Sequence, residues 1–429
     1  MIKAIKTGKN DNVATVINNV KSGEIVNIFN KDGSSYKVKS KAKILFGHKI
    51  SIKDINIDEA IIKYDTSIGT AKKKIPQGFN VHVNEVQSKY DINKKNKTDK
   101  IIKINLPEFK KKISEILKRY IPNKDIKTIL LNYLLEAEMK CVKTHGIRRL
   151  PLIIERIQNK SINLRPKLKF KWHGSMLTVD ADNTLGHYAM IKSIEQIKKK
   201  ISKKVSITCT IKNSTHFGYA GYYSSKISDL NCISFVSSNG PPLMSPLGCK
   251  EAVVSNNPLS ISAKINNNKY FEADLATSVT SRSNILNAIK KNQTIDKGLI
   301  MSSKGFMTTD ADEAKNGILI PMQNYKGYAL ALGLELLTGV LSGGPILRDI
   351  KHKDRNLRHK EKISHFILAI KNSNQKSISN FISMIEKTKK NKTKTNSWPG
   401  MKKYKNFMTS SKTNKIELNE LDYKNLDRL

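Results

Sequence analysis

The hydrophobic pattern of this 429-residue chain changes period once, and that change constrains the fold more than any single motif. Up to about residue 90, apolar residues come in short alternating segments such as Ile25-Val26-Asn27-Ile28-Phe29 and Tyr36-Lys37-Val38, punctuated by Gly23, Gly33, Gly47, Gly69 and Gly78. Alternation between glycine turns is a strand pattern, so 1–90 is expected to be a small β-rich domain. Asp11 stands where it can cap a short amphipathic helix carrying Val13, Ala14, Val16 and Ile17. From Leu106 the period becomes helical. Phe109, Ile113, Ile116, Leu117 and Tyr120 share one face, and Ile126, Ile129, Leu130, Tyr133, Leu134 and Ala137 share another. Farther on, strands at 205–211 and 232–236 alternate with helices at 188–197 and 219–227, which predicts a mixed α/β second domain over 106–429. The polar stretch 91–105 between them reads as a linker.

Charge narrows the function only partly. There are 77 Lys and Arg against 36 Asp and Glu, a formal net charge of +41. Such a field steers nucleic acid, anionic membranes or small anionic substrates alike. Nucleic-acid binders concentrate charge on a stripe and interleave aromatics, whereas lysine runs here, such as Lys72-Lys73-Lys74, Lys94-Lys95 and Lys389-Lys390, are spread along the chain and aromatics make up only 7%. A nucleic-acid role is therefore disfavoured. Cys141, Cys209, Cys232 and Cys249 form no C-x-x-C pair, which argues against zinc ribbons and a disulfide framework and for buried thiols. No metal site is expected. The first residues lack the apolar run of a signal peptide. The most apolar segment, 327–341, is interrupted by Glu335 and is shorter than the ~20 residues that cross a bilayer, so a cytoplasmic protein is expected.

There is no G-x-G-x-x-G, P-loop or H-E-x-x-H motif, which sets aside a Rossmann dehydrogenase. Other segments stand out in order. They are Thr144-His145-Gly146-Ile147-Arg148-Arg149-Leu150-Pro151, Asp180-Ala181-Asp182-Asn183-Thr184-Leu185-Gly186, Asn213-Ser214-Thr215-His216-Phe217-Gly218, Asn256-Asn257-Pro258 and Asp274-Leu275-Ala276-Thr277-Ser278. Tyr325-Lys326-Gly327-Tyr328, leading into Glu335-Leu336-Leu337-Thr338-Gly339, and Pro399-Gly400 complete the series. Together they resemble the boxes of the malate/L-lactate dehydrogenase family that is unrelated to the Rossmann lactate dehydrogenases. Thr144 stands for that family's serine, Ala181 for a glycine and Met401 for a common acidic residue, while Gly240, after Asn239, falls where a substrate-side serine is often found.

The chemistry suits the residues. Oxidising a 2-hydroxy acid requires removal of the hydroxyl proton as hydride leaves C2, a task for a group titrating near neutrality such as imidazole. The substrate carboxylate calls for a planar bidentate donor, which is guanidinium rather than ammonium. The resemblance implies His145 as acid/base, His216 as orienting or proton-relay partner, and Arg149, not Arg148, as carboxylate ligand, with Thr144 and Asn239 also on the substrate. It implies NAD or NADP held by Asp274, Leu275 and Ala276, by Tyr325 and Lys326, and by Pro399, Gly400 and Met401, in a homodimer. His48, His82, His173, His187, His352, His359 and His365 have no comparable match and read as ordinary core or surface histidines.

The first domain resembles the β-clip (SAF) module of altronate and galactarate dehydratases, also seen as the small subunit of sulfolactate sulfo-lyase. Asp11-Asn12-Val13-Ala14-Thr15, Gly47-His48-Lys49-Ile50-Ser51, Ile62-Lys63-Tyr64 with Ile68-Gly69, and Val81-His82-Val83-Asn84 carry this likeness. His48, Lys49, Lys63 and His82 could face a carboxylate or could be solvated turn residues. The expected protein is thus a SAF-like module fused to a non-Rossmann dehydrogenase for malate, lactate or sulfolactate. The alternatives are an accessory subunit that joins a separate lyase large subunit, and a basic nucleic-acid-binding protein.

Overall fold

The computed structural model describes residues 2–81, 86–87, 100–290, 295–351, 357–388 and 397–429. The chain divides into two compact units, residues 1–97 and 98–429.

The first unit is built of short strands: β1 (Ile2–Ile5), β2 (Val13–Val16), β3 (Ile25–Phe29), β4 (Ser35–Lys39), β5 (Lys49–Ser51), β6 (Ala60–Lys63), β7 (Thr66–Ala71), β8 (Asn80–Val81) and β9 (Val86–Gln87). They form one sheet in the order β4-β3-β1-β2-β5-β8 and a second in the order β6-β7-β9. The segment after Asp11 is strand β2 and not the expected helix. It lies between β1 and β5, pairing antiparallel with both, and Val13, Ala14 and Val16 are all buried. A strand covered on both faces loses its alternation and reads as an unbroken apolar run. The Asp11 carboxylate accepts the N–H groups of Gly8 and Asp65, both at 2.8 Å, so it fastens a turn to the β6–β7 hairpin and caps no helix.

The second unit opens with β10 (Ile101–Asn105), which corrects the linker at its far end. β10 pairs residue for residue with β20 (Lys415–Asn419), more than three hundred positions away, and Val86–Gln87 at the near side pairs with β7. Linker residues 91–99 lie outside those described. Helices α1 (Leu106–Tyr120) and α2 (Lys124–Met139) follow as the periodicity requires. Pro107 and Glu108 occupy the first turn of α1, Lys118 and Arg119 its last, and the Asn123 side chain caps α2 by accepting the Ile126 N–H. Their buried faces meet a large core with Leu177, Ile207, Tyr223 and Ile367.

Next come α3 (Leu150–Gln158), β11 (Lys169–His173), β12 (Met176–Asp180), α4 (Gly186–Ile201), β13 (Ser206–Ser214), α5 (Ala220–Ser228), β14 (Cys232–Ser238), β15 (Leu259–Asn266), β16 (Lys269–Leu275) and α6 (Arg282–Lys290). Then follow β17 (Ile300–Met301), α7 (Ala311–Lys315), β18 (Ile318–Leu319), α8 (Tyr325–Glu335) with a π-helical turn at Leu336–Val340, β19 (Ile363–Lys371), α9 (Gln375–Lys387), α10 (Met401–Thr413), β20 and α11 (Glu420–Lys424). The main sheet has the order β11-β12-β13-β19-β14-β15-β16, and β12–β13 is its one parallel pair. This mixed sheet differs from a doubly wound parallel one. Cys209 and Cys232 are buried, whereas Cys141 and Cys249, also expected inside, are half-buried; all four are free thiols. Among the described residues no helix is long and apolar enough to cross a membrane.

Candidate functional site

Two turns carry the candidate histidines. The first joins α2 to α3 and ends in a 3-10 turn, Ile147–Arg149, after which Pro151 sits in the first turn of α3. The second follows β13, where the ladder with β19 shifts register between Ile211 and Ser214, and runs into α5. Tyr133 of α2 ties them together: its hydroxyl donates to the His145 carbonyl (3.1 Å) and accepts the Tyr219 N–H (3.1 Å). Gly218 makes room for this. It has φ +90, and a Cβ there would lie 2.0 Å from the Tyr133 hydroxyl oxygen.

The two imidazoles therefore face each other, with centroids 5.7 Å apart and planes within 3° of parallel. Both residues are half-buried. The Thr144 hydroxyl lies 2.9 Å from His145 Nδ1, so the threonine in the serine position still supplies an oxygen to the ring. His216 Nδ1 accepts the Gly218 N–H (3.2 Å), which leaves the proton of the neutral ring on Nε2. Arg149 is braced by Nε donating to the Thr144 carbonyl (3.0 Å) and Nη2 donating to the Ser283 hydroxyl (2.5 Å). Arg148 turns the other way and pairs with Asp422 at 2.8 Å. Arg149, Thr215 and His216 line one small cavity of about 30 Å³, with Leu152, Arg156 and Glu361.

Asn239 does not join this cavity. It is buried, with Oδ1 accepting the Ser364 N–H (2.8 Å) and Nδ2 donating to Glu335 (3.0 Å) and to the Pro345 carbonyl (3.2 Å). Its amide is committed to the scaffold, where it braces the end of β14 against α8 and β19. Of the remaining histidines, His187 and His365 are fully buried and pushed by burial down to about 3, as core histidines are. His82 and His352 lie outside the described residues.

The candidate nucleotide segments also converge. Lys403 of α10 donates to Asp274 (2.6 Å) and to Glu272. Burial alone would lower this ammonium, but the two carboxylates carry it above its ordinary value. Gly400, with φ +99, lets the Pro399 carbonyl accept the Glu272 N–H (2.9 Å), and Met401 packs with Trp398 and Tyr404. Three residues beyond Asp274, the Thr277 carbonyl accepts the Met322 N–H (2.9 Å), which sets the start of α8, with exposed Tyr325 and Lys326, beside Leu275 and Ala276. Neither α8 nor α10 has an acidic residue in its first turn, and Thr277 Oγ1 is buried with no hydrogen-bond partner among the described residues. Helix N-termini without acidic side chains, an exposed lysine and an orphaned hydroxyl fit an anionic nucleotide. The Lys403 ring contact with Tyr219 (5.0 Å) links this region to Tyr133 and hence to the histidines.

Two carboxylates that carry no sequence signal lie beneath the two turns. Glu138 accepts the Ile147 N–H (2.8 Å), and burial pushes it up to about 7 against the pull of Lys143. Glu361 accepts the His216 N–H (2.9 Å). Neither belongs to a box, so no local signal marks them. In the first unit, burial and then the neighbouring Lys63 charge lower the Lys49 ammonium, while Lys63 is buried with its Nζ over the Tyr64 ring.

Comparison with known proteins decides between the readings. Residues 104–427 match the malate/L-lactate dehydrogenase family. The chain belongs to it. Residues 2–89 match the SAF domain of altronate/galactarate dehydratases. The chain is 36% identical to the L-sulfolactate dehydrogenase of Methanocaldococcus jannaschii over 239 residues, which is 54% of this chain and 68% of that protein. It is 30% identical to the malate dehydrogenase of Pyrococcus abyssi over 258 residues, 58% of this chain and 70% of the other. The solved sulfolactate dehydrogenase from M. jannaschii superposes with a TM-score of 0.68 at 27% identity, covering 76% of this chain and 95% of that one. This family member is accordingly a hydroxy-acid dehydrogenase of the nicotinamide-dependent kind. The readings as a lyase accessory subunit and as a nucleic-acid binder give way to it.

Proposed function

We propose that the enzyme interconverts a small anionic 2-hydroxy acid, of malate, lactate or sulfolactate type, with its 2-oxo acid, and that His145, His216 and Arg149 carry the substrate end. The parallel imidazoles beside a braced guanidinium are the observation that supports this reading most. Arg149 grips the C1 carboxylate with its planar fork, assisted by Thr144. His145 takes the hydroxyl proton during oxidation and returns it during reduction. His216, protonated at Nε2, donates a hydrogen bond to the same oxygen and fixes its position. A nicotinamide, when bound, would supply the hydride acceptor. Asp274, Leu275 and Ala276, the α8 start with Tyr325 and Lys326, and the α10 start with Pro399, Gly400 and Met401 would hold it as NAD or NADP.

Sulfolactate and malate, which name the relatives, each carry a second acidic group, and a +41 chain favours dianions. A homodimer is part of the proposal. Ile233, Ile261 and Ile370 leave an exposed apolar patch on three adjacent strands of the main sheet, of the kind that pairs with a second copy. The working place is the cytoplasm, where nicotinamide nucleotides are abundant. A panel of 2-hydroxy and 2-oxo acids, including sulfolactate and sulfopyruvate, followed by nicotinamide absorbance with both cofactors, tests the reading; no turnover with any of them would refute it. Copurification shows whether the first unit also recruits a lyase large subunit.

A further inference from the structure

In the wall of the cavity lies a buried ion pair that no part of the proton-transfer scheme uses. Arg156 of α3 and Glu361, just ahead of β19, are each only 3% exposed, and Nη1 and Oε1 stand 3.7 Å apart. Arg156 Nη2 donates to the His359 carbonyl (2.9 Å), while Arg156 Nε and Nη1 and Glu361 Oε1 have no hydrogen-bond partner among the described residues. An incompletely satisfied buried pair is a poor source of stability, since apolar replacements of both members are often neutral or better. Its geometry suggests another use. The β13–β19 ladder ends at Ser214↔Ile363, and past that point the Glu361 side chain takes over the acceptor role by binding the His216 N–H at 2.9 Å. Arg156, rooted in the helix that follows the His145 turn, holds that carboxylate from the other side.

We propose that Glu361, steered by Arg156, is a positioning residue that holds His216 parallel to His145; this rests on the dehydrogenase reading above. It acts through the backbone of the His216 turn. A donor displaced by even an ångström loses much of its effect on the transition state.

The test uses the full-length enzyme and three variants. E361A is expected to lower kcat about 10-fold or more with little change in nucleotide affinity. E361Q, whose amide oxygen still accepts the His216 N–H, should retain most of kcat. R156L/E361L removes both charges without leaving one buried alone, so it should melt close to wild type yet lose kcat like E361A. Hydrogen exchange at the His216 amide should accelerate in E361A and in the double variant but not in E361Q. Unchanged exchange in E361A overturns the anchoring, and wild-type kcat in R156L/E361L overturns its catalytic consequence. If E361A does not fold, the double variant decides. If the wild-type enzyme turns over no hydroxy acid, the dehydrogenase reading fails on its own, and the exchange rates still decide whether Glu361 holds the turn.

Discussion

Replacing Glu138 by Gln should remove a pH dependence of stability that the structure writes into the second unit. The carboxyl is 2% exposed, accepts the Ile147 N–H at 2.8 Å, and has Lys143 Nζ at 3.8 Å from its other oxygen. Burial outweighs both and lifts its pKa from 4.5 to about 7. A carboxyl raised in the folded state binds its proton more tightly there than in the unfolded chain. Its favourable contribution is complete below 4.5 and is lost as pH rises through about 7. At about 1.4 kcal/mol per pH unit the full loss is about 3 kcal/mol, of which about 2.5 falls between about pH 5 and about pH 8. Urea unfolding of wild type and E138Q at those two pH values measures it. Both tryptophans, Trp172 and Trp398, lie in this unit, so their fluorescence reports on it. The stability difference, wild type minus E138Q, should fall by about 2.5 kcal/mol from the lower to the higher pH. Glutamine keeps an acceptor for Ile147, so differencing removes every titration the two proteins share. A difference independent of pH would mean that Glu138 is ionised throughout, held by Lys143, and that the burial argument is wrong.

Four further outcomes are expected. H145N should lower kcat about a hundredfold or more while nucleotide binding, followed by fluorescence titration, stays intact; unchanged kcat would pass the proton to His216. R149K should impair turnover strongly because the fork is lost, whereas R148K keeps its charge beside Asp422 and should leave kcat near wild type. A fragment starting at Thr98 should fold and turn over substrate, whereas one starting at Leu106 loses the strand paired with β20 and should melt lower. G400A should weaken nucleotide binding in the same titration, since a Cβ would lie 2.7 Å from the Tyr270 carbonyl at a φ of +99.

Much of the fold was legible because its signals are local. The helical faces of α1 and α2 and the strands β13 and β14 stand in the sequence as periodicities. In sequence β2 passes for an amphipathic helix because a central strand buries both faces, and Val13, Ala14 and Val16 then look like one apolar stripe. The strand at 101–105 passes for a linker in sequence because alternate side chains face solvent and its partner is at the far end of the chain. His145, His216 and Arg149 stand out in the sequence through their boxes, and the structure brings the two imidazoles together. Motif position says nothing about which way an amide points, and the Asn239 amide bonds to Glu335, Pro345 and Ser364 away from the histidine cavity.

The groups that hold the histidines in place were invisible for a physical reason. Each histidine turn hangs from a buried carboxylate through one backbone N–H: Ile147 on Glu138 for the first, His216 on Glu361 for the second. Tyr133 then joins the turns through a single hydroxyl. Glu138 and Tyr133 are neighbours on α2, five residues apart, while Glu361 arrives from the opposite end of the unit ahead of β19. A backbone N–H places no demand on the sequence around its acceptor, so such an anchor can come from any element that reaches the turn. Inside a low-dielectric core each of these bonds is stronger than it would be in water and costlier to leave unmade. The visible boxes thus hold the two imidazoles and the guanidinium, while the turns that carry the imidazoles are anchored by three buried side chains that no motif contains.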